Sequence, residues 1–126
     1  MRVFLTKSFV RFQRKERIAD AALVEAIKRA ERGLVDASLS ANLIKQRVGR
    51  PGQGRSGGFR TVVAYRIGDR AVFLFGFAKS ERSNISAADE RDLADFGAQI
   101  LHLRAAEIRT AVDGGELTEI AYDDEA

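Results

Sequence analysis

"FRTVVAYRIGDRAVFLFGFAK", Phe59–Lys79, holds two strand-like runs on either side of a short polar break. Gly68-Asp69 suits a two-residue hairpin turn. Counted out from that turn, Arg66 faces Ala71, Arg60 lies opposite Phe77, and Gly58 lies opposite Lys79. Arg60 and Lys79 then share a pleat face as diagonal neighbours, roughly 7–8 Å apart, a gap that lets both touch one phosphodiester. Val72–Phe77 is apolar at both parities, so this strand is expected at the centre of a sheet covered on both sides.

Upstream, "GRPGQGRSGG" (Gly49–Gly58) is half glycine and carries Arg50 and Arg55. Gly52, Gly54 and Gly57 spell G-x-G-x-x-G, the dinucleotide fingerprint. That fingerprint must follow a strand and open a helix, because the helix N-terminus holds the pyrophosphate. Here a strand follows, so the cofactor reading fails and no cofactor is expected. Two readings stay open for the stretch: a strand connection, or a loop whose bare backbone approaches a polyanion. "NLIKQRV" (Asn42–Val48) alternates, with Leu43, Lys45 and Arg47 on one face and Ile44, Gln46 and Val48 on the other. Beside the hairpin it would bring Lys45 and Arg47 to the corner that holds Arg60 and Lys79. Arg82 lies just beyond the central strand, and Arg50 and Arg55 hang nearby.

Before this block, "RVFL" (Arg2–Leu5) reads as a strand. Thr6 or Ser8 can cap a short helix to about Lys15. Asp20 opens a second helix, with Leu23, Ala26, Ile27 and Ala30 at helical spacing and Gly33 as its stop. After the block, Ser86 can cap a helix whose stripe runs Leu93, Phe96, Ile100, Leu103, Ile108, Ala111. Arg104 interrupts that stripe, so a break or bend is expected around Leu103. "GELTEIAYDDEA" (Gly115–Ala126) reads as a short edge strand or a trailing end. The fold class is α+β, in the order β-α-α-β-β-β-α: a small, mainly antiparallel sheet, two N-terminal helices packed on it and a C-terminal helix. One domain over residues 1–126 is expected, with a core of 1–85 and an acidic helical region of 86–126.

Charge is unevenly spread. Residues 1–32 carry nine Lys/Arg against four Asp/Glu, 45–82 carry nine against two, and 83–126 carry three against eleven. A basic body with an acidic end points to a polyanionic partner. No run of about 18 apolar residues exists, so no membrane helix is expected. The first residues lack a signal-peptide core, and a cytoplasmic location is the expectation. The 126 residues include no cysteine, which removes disulfides, thiolate metal sites and a Cys nucleophile.

The sole histidine, His102, falls on the polar side of its helix and is expected at the surface. No metal-ligand cluster and no placeable carboxylate pair remain, so an enzyme here would work with arginine, lysine and a hydroxyl, without metal. Such a site can cleave RNA: a base takes the 2′-OH proton while cations stabilise the crowded phosphate. Lysine serves as that base only where neighbouring cations depress its pKa.

"LIKQRVGRPGQGRSGGFRTVVAYR" and "GDRAVFLFGFAKSERSNI", with the markers "SGGFR" and "FAKSER", resemble the RelE/HigB branch of the RelE/ParE superfamily of bacterial type II toxins, from Met1 to about Ile85. The resemblance implies a RelE-like fold and an mRNA endonuclease (an mRNA interferase) acting in the ribosomal A site. It also implies a cognate antitoxin. Arg60 then contacts the scissile phosphate, Lys79 is the basic residue ending the last sheet strand, and Lys45, Arg47, Arg50 and Arg55 bind RNA. Two positions depart from the best-known pattern. Ser80 stands where an arginine follows that lysine, with Arg82 as the replacement charge. Ser86 stands where a tyrosine stacks on the substrate base. The longer acidic end is left with three roles: a cover for the sheet, a mimic of an antitoxin contact, or a homodimer face.

Two other functions compete. ParE-type relatives share the fold and poison DNA gyrase, and a non-catalytic basic nucleic-acid-binding protein would carry the same charge pattern.

Overall fold

The computed structural model describes residues 1–40, 42–50, 54–79 and 84–123, with the backbone alone at 54–57. The elements run β1 (Arg2–Thr6), α1 (Lys7–Glu16), α2 (Asp20–Glu31), β2 (Ala37–Ser38), β3 (Leu43–Arg50), β4 (Gly54–Arg66), β5 (Arg70–Ala78), α3 (Ala87–Leu101), α4 (Ala105–Asp113) and β6 (Leu117–Ile120). The α+β class and mostly antiparallel sheet agree with the sequence reading. The element order needs correction, because β2, α4 and β6 are additional.

The strands form one sheet in the order β2-β3-β4-β5-β1-β6. β1 lies parallel to β5 and antiparallel to β6; the remaining pairings are antiparallel. β5 is thus interior, as its two apolar faces require. One face packs Val3, Leu5, Ile44, Phe59, Val63 and Phe73 against Phe9 of α1 and Leu23 and Ile27 of α2. The other packs Phe4, Leu43, Val62, Ala64, Val72 and Leu74 against Ala94, Ile100 and Leu101 of α3 and Ile108 of α4.

Caps follow the sequence signals. Thr6 Oγ1 accepts the Phe9 N–H at 3.3 Å, and Ser86 Oγ accepts that of Asp89 at 3.1 Å. The break expected near Leu103 is present. α3 ends at Leu101, and α4 restarts behind Arg104, whose N–H donates to Glu107 at 2.8 Å. The expected stripe on α3 is corrected at Phe96, which is 45 % exposed. Gly97 takes the inward position instead; a Cβ there would lie 3.1 Å from that of Ala64. This close approach of helix to sheet turns the neighbouring ring outward. The exposed His102 caps the C-terminus of α3.

The hairpin turn is also corrected. Arg66 pairs with Arg70, not Ala71, so Ile67, Gly68 and Asp69 form the loop. The Asp69 N–H donates to Arg66 O at 3.1 Å, and Gly68 has φ +69°, which fits the third position of a type II turn. Tertiary contacts hold Arg70 in the strand. It pairs with Arg2 of β1, and its guanidinium donates to Ile100 O at 2.9 Å and Leu103 O at 3.0 Å. Burial there pushes its pKa down. A bulge follows, since Val63 faces Phe73 but Val62 faces Phe75, leaving Leu74 as the extra residue. The longer loop and the bulge offset one another, and Arg60 lies opposite Phe77 as the count from the sequence requires.

The glycine-rich stretch is strand over part of its length, since β4 begins at Gly54 and Arg50 pairs with Gly54. Gly58 meets β3 where its register shifts between Val48 and Arg50; a Cβ at Gly58 would come 2.1 Å from Val48 O. Among the described residues, no helix is long and apolar enough to cross a membrane.

Candidate nucleic-acid interface

Register places the cations. Arg47, Arg60 and Phe77 form one row across β3, β4 and β5, and Lys45, Val62 and Phe75 form the next. Residues directly opposite share a pleat face. Val62 and Leu43 identify that face as the α3 side. α3 covers the part nearer the β4–β5 turn, around Leu43, Ala64 and Leu74. The other end presents Arg47, Arg60 and Lys45 beside two aromatic rings.

Arg47 is exposed and Lys45 half-buried, with Lys45 Nζ donating to Asn84 Oδ1 at 3.0 Å. Arg60 is half-buried, and its Nη1 is the buried side-chain polar atom without a hydrogen-bond partner among the described residues. Burying a guanidinium nitrogen unpaired is unfavourable, so a ligand oxygen there would be gripped strongly. No carboxylate pairs with the side chains of Arg47, Arg60 or Lys79 among the described residues. Lys79 follows directly on Ala78, the last paired residue of β5, and is exposed in a turn.

The backbone at Arg47 is clamped from the side. β2 reaches only Lys45 and Ile44. Beyond it, Asp36 Oδ2 accepts the Arg47 N–H at 2.7 Å, and Arg29 Nη2 donates to Arg47 O. Arg29, 3 % exposed, also holds Glu25 at 2.8 Å and Asp36 at 3.3 Å. Next to it Gln46 donates to Ala26 O at 2.8 Å and accepts the Asp36 N–H at 2.7 Å. Side chains thus replace the missing strand, satisfy the edge and fix the direction in which Arg47 projects.

Arg50 belongs elsewhere. It lies over the ring of Phe59, 4.6 Å from its centroid and 3.8 Å from Glu16 of α1, on the opposite face from Arg60. Arg55 has its backbone in β4, but its side chain lies outside the described residues, as does all of Arg82. Ser86, at the position of the missing stacking ring, serves as the α3 cap.

Two rings on the cationic face went unassigned from sequence. Phe75 and Phe77 read as core because their strand is apolar at every position. The signal was their pairing: each lies across from the cation-bearing rows, and their centroids are 5.9 Å apart. Phe77 is buried, as that reading requires, and Phe75 is half-buried. A sheet surface of arginines and lysine beside the Phe75 ring can bind a phosphate backbone and stack a base.

No curated protein matches this chain. The family model described as the RelE toxin of the RelE/RelB toxin–antitoxin system matches residues 1–120. With nearly its whole length matched, the chain belongs to the RelE family: it is the toxin of a toxin–antitoxin pair, and an antitoxin is its partner.

Proposed function

We propose that this toxin is a ribosome-dependent mRNA endonuclease that stops translation from the cytoplasm. The observation that carries the reading is Arg60: a buried guanidinium nitrogen without a hydrogen-bond partner among the described residues, in a row with Arg47. In this mechanism the 2′-oxygen attacks the adjacent phosphorus, the P–O5′ bond breaks, and the 5′-oxygen leaves with a proton. A 2′,3′-cyclic phosphate remains. Arg60 stabilises the charge that builds on the phosphoryl oxygens. Lys79 and Arg82 supply proton transfer and further charge at the end of β5. Lys45 and Arg47 hold the strand's backbone, and Arg55 extends that contact from β4. Arg50, turned to the other face, has no contact with the scissile nucleotide in this scheme.

Induced expression followed by mapping of mRNA ends tests the reading. Messages cut within translated codons are the expected result, with Arg60→Ala relieving growth arrest and Arg2→Ala leaving it. Arrested cells with intact messages overturn it. A DNA-damage response in those cells would assign the toxin to gyrase, and salt-sensitive nucleic-acid binding without growth arrest would leave a non-catalytic binding protein.

A further inference from the structure

α1 carries Lys7, Arg11, Arg14 and Lys15, and its acid, Glu16, faces Arg50. No acid pairs with Lys7, Arg11, Arg14 or Lys15 among the described residues. Arg11 and Lys15 are exposed and lie four residues apart, hence on one helix face. Between that face and β5 runs a cleft of about 290 Å³, lined by Ser8, Arg11, Phe12, Lys15, Phe75 and Gly76 among others. It exists because β1 pairs with β5 only as far as Phe73, where the chain turns into α1. Gly76 faces the cleft without a side chain; a Cβ there would lie 2.4 Å from the Phe12 ring. Phe75 joins this cleft to the cationic face, being part of the Lys45–Val62–Phe75 row and lining both this cleft and a separate cavity that it shares with Asp89, Asp92 and Leu93 of α3.

We propose that this cleft is a second nucleotide subsite, in which a base of single-stranded RNA packs against Phe75 and Phe12 while a neighbouring phosphate rests on Arg11 and Lys15. The inference rests on the nuclease reading, because the strand that enters the cleft is the one whose scissile phosphate Arg60 grips. An acidic peptide would use the two cations alone. Two rings flanking bare sheet edge suit the flat faces of bases.

The test measures binding of a trinucleotide and an octanucleotide RNA across a range of salt concentrations by fluorescence anisotropy. The unaltered protein should bind the octamer more tightly. Arg11→Ala/Lys15→Ala should abolish that gain and lower the salt slope by about 1.4, the value for two phosphate contacts on a single strand. Arg91→Ala/Arg109→Ala, an equal charge change on α3 and α4, should leave both intact. Phe75→Leu should weaken octamer binding about 5- to 150-fold with the slope unchanged, as lost stacking requires.

No gain with length in the unaltered protein, or an α1 variant that loses only the antitoxin, overturns the subsite. If messages stay intact in arrested cells while the α1 variant still loses the length gain, the nuclease assignment fails and the cleft stands as an RNA-binding site.

Discussion

Asp36 holds the backbone N–H of Arg47 at 2.7 Å and the buried guanidinium of Arg29 at 3.3 Å. One carboxylate therefore links α2 to the strand that projects a cation of the interface. Asp36→Ala should cost about 1–3 kcal/mol, because it leaves a strand-edge N–H and part of a buried charge unmet. Asp36→Asn should recover much of this loss by keeping an acceptor for Arg47. Urea unfolding of the two variants checks the ordering; equal stabilities would remove the clamp.

Arg60 is expected to separate stability from activity. Arg60→Met replaces a half-buried guanidinium, whose buried Nη1 has no hydrogen-bond partner among the described residues, with an apolar chain, so stability should stay within about 1 kcal/mol of the unaltered protein or rise. Cleavage on translating ribosomes should fall by about 10²–10³, the usual cost of losing one donor to a developing oxyanion. Thermal unfolding paired with a primer-extension cleavage assay reads both. A destabilised variant would mean that the guanidinium serves the fold.

Gly58→Ala should destabilise strongly, by about 1–3 kcal/mol, because its Cβ would meet the backbone at 2.1 Å from Val48 O. Backbone cannot rotate aside as a side chain can. The β3–β4 register would have to open at its bulge, and hydrogen exchange at Val48 and Phe59 should quicken before that at Val63. Uniform exchange across β4 would contradict this.

The edge pair of β1 and β6 predicts a pH dependence. Arg2 grips Glu119 through two hydrogen bonds, at 2.8 and 2.9 Å, and the bonded guanidinium pulls the Glu119 carboxyl below its ordinary value of 4.5. A carboxylate depressed on folding stabilises the protein above its unfolded pKa, and the effect is lost as pH falls through the lower folded value. Both groups are partly exposed, so the gain is no more than about 0.2–1 kcal/mol. The melting temperature should drop more steeply below pH 4.5 in the unaltered protein than in Glu119→Gln. Parallel curves would show that the pair contributes nothing.

The cationic rows were legible in the sequence because strand alternation is strict and Arg60 and Phe77 are far enough from the turn for two irregularities to offset. Neither irregularity was legible by itself. The Ile67 loop is set by Arg70, which β1 and the end of α3 hold in place, and the Leu74 bulge is set by packing on both sheet faces. The face of Arg50 was not legible because Gly49–Gly58 reads as a loop, where parity has no meaning. Once β3 is seen to run to Arg50, even-numbered alternation carries that residue to the α1 side. The strand's apolar run correctly marked Phe77 as core. The half-buried Phe75 was hidden by composition, since an apolar strand does not show which of its rings a covering helix leaves partly open. The cations of α1 were hidden for the opposite reason, because a charged helix face looks like ordinary solvated surface until a cleft is found beside it.

β1 sits between β5 and β6, so the first strand to be synthesised pairs only with segments made much later. Val3–Thr6 finds its antiparallel neighbour only once residues 117–120 have emerged. Both seams of β1 are therefore the last parts of the sheet that the order of synthesis allows to close, and the N-terminal strand waits unpaired until its later-made neighbours exist.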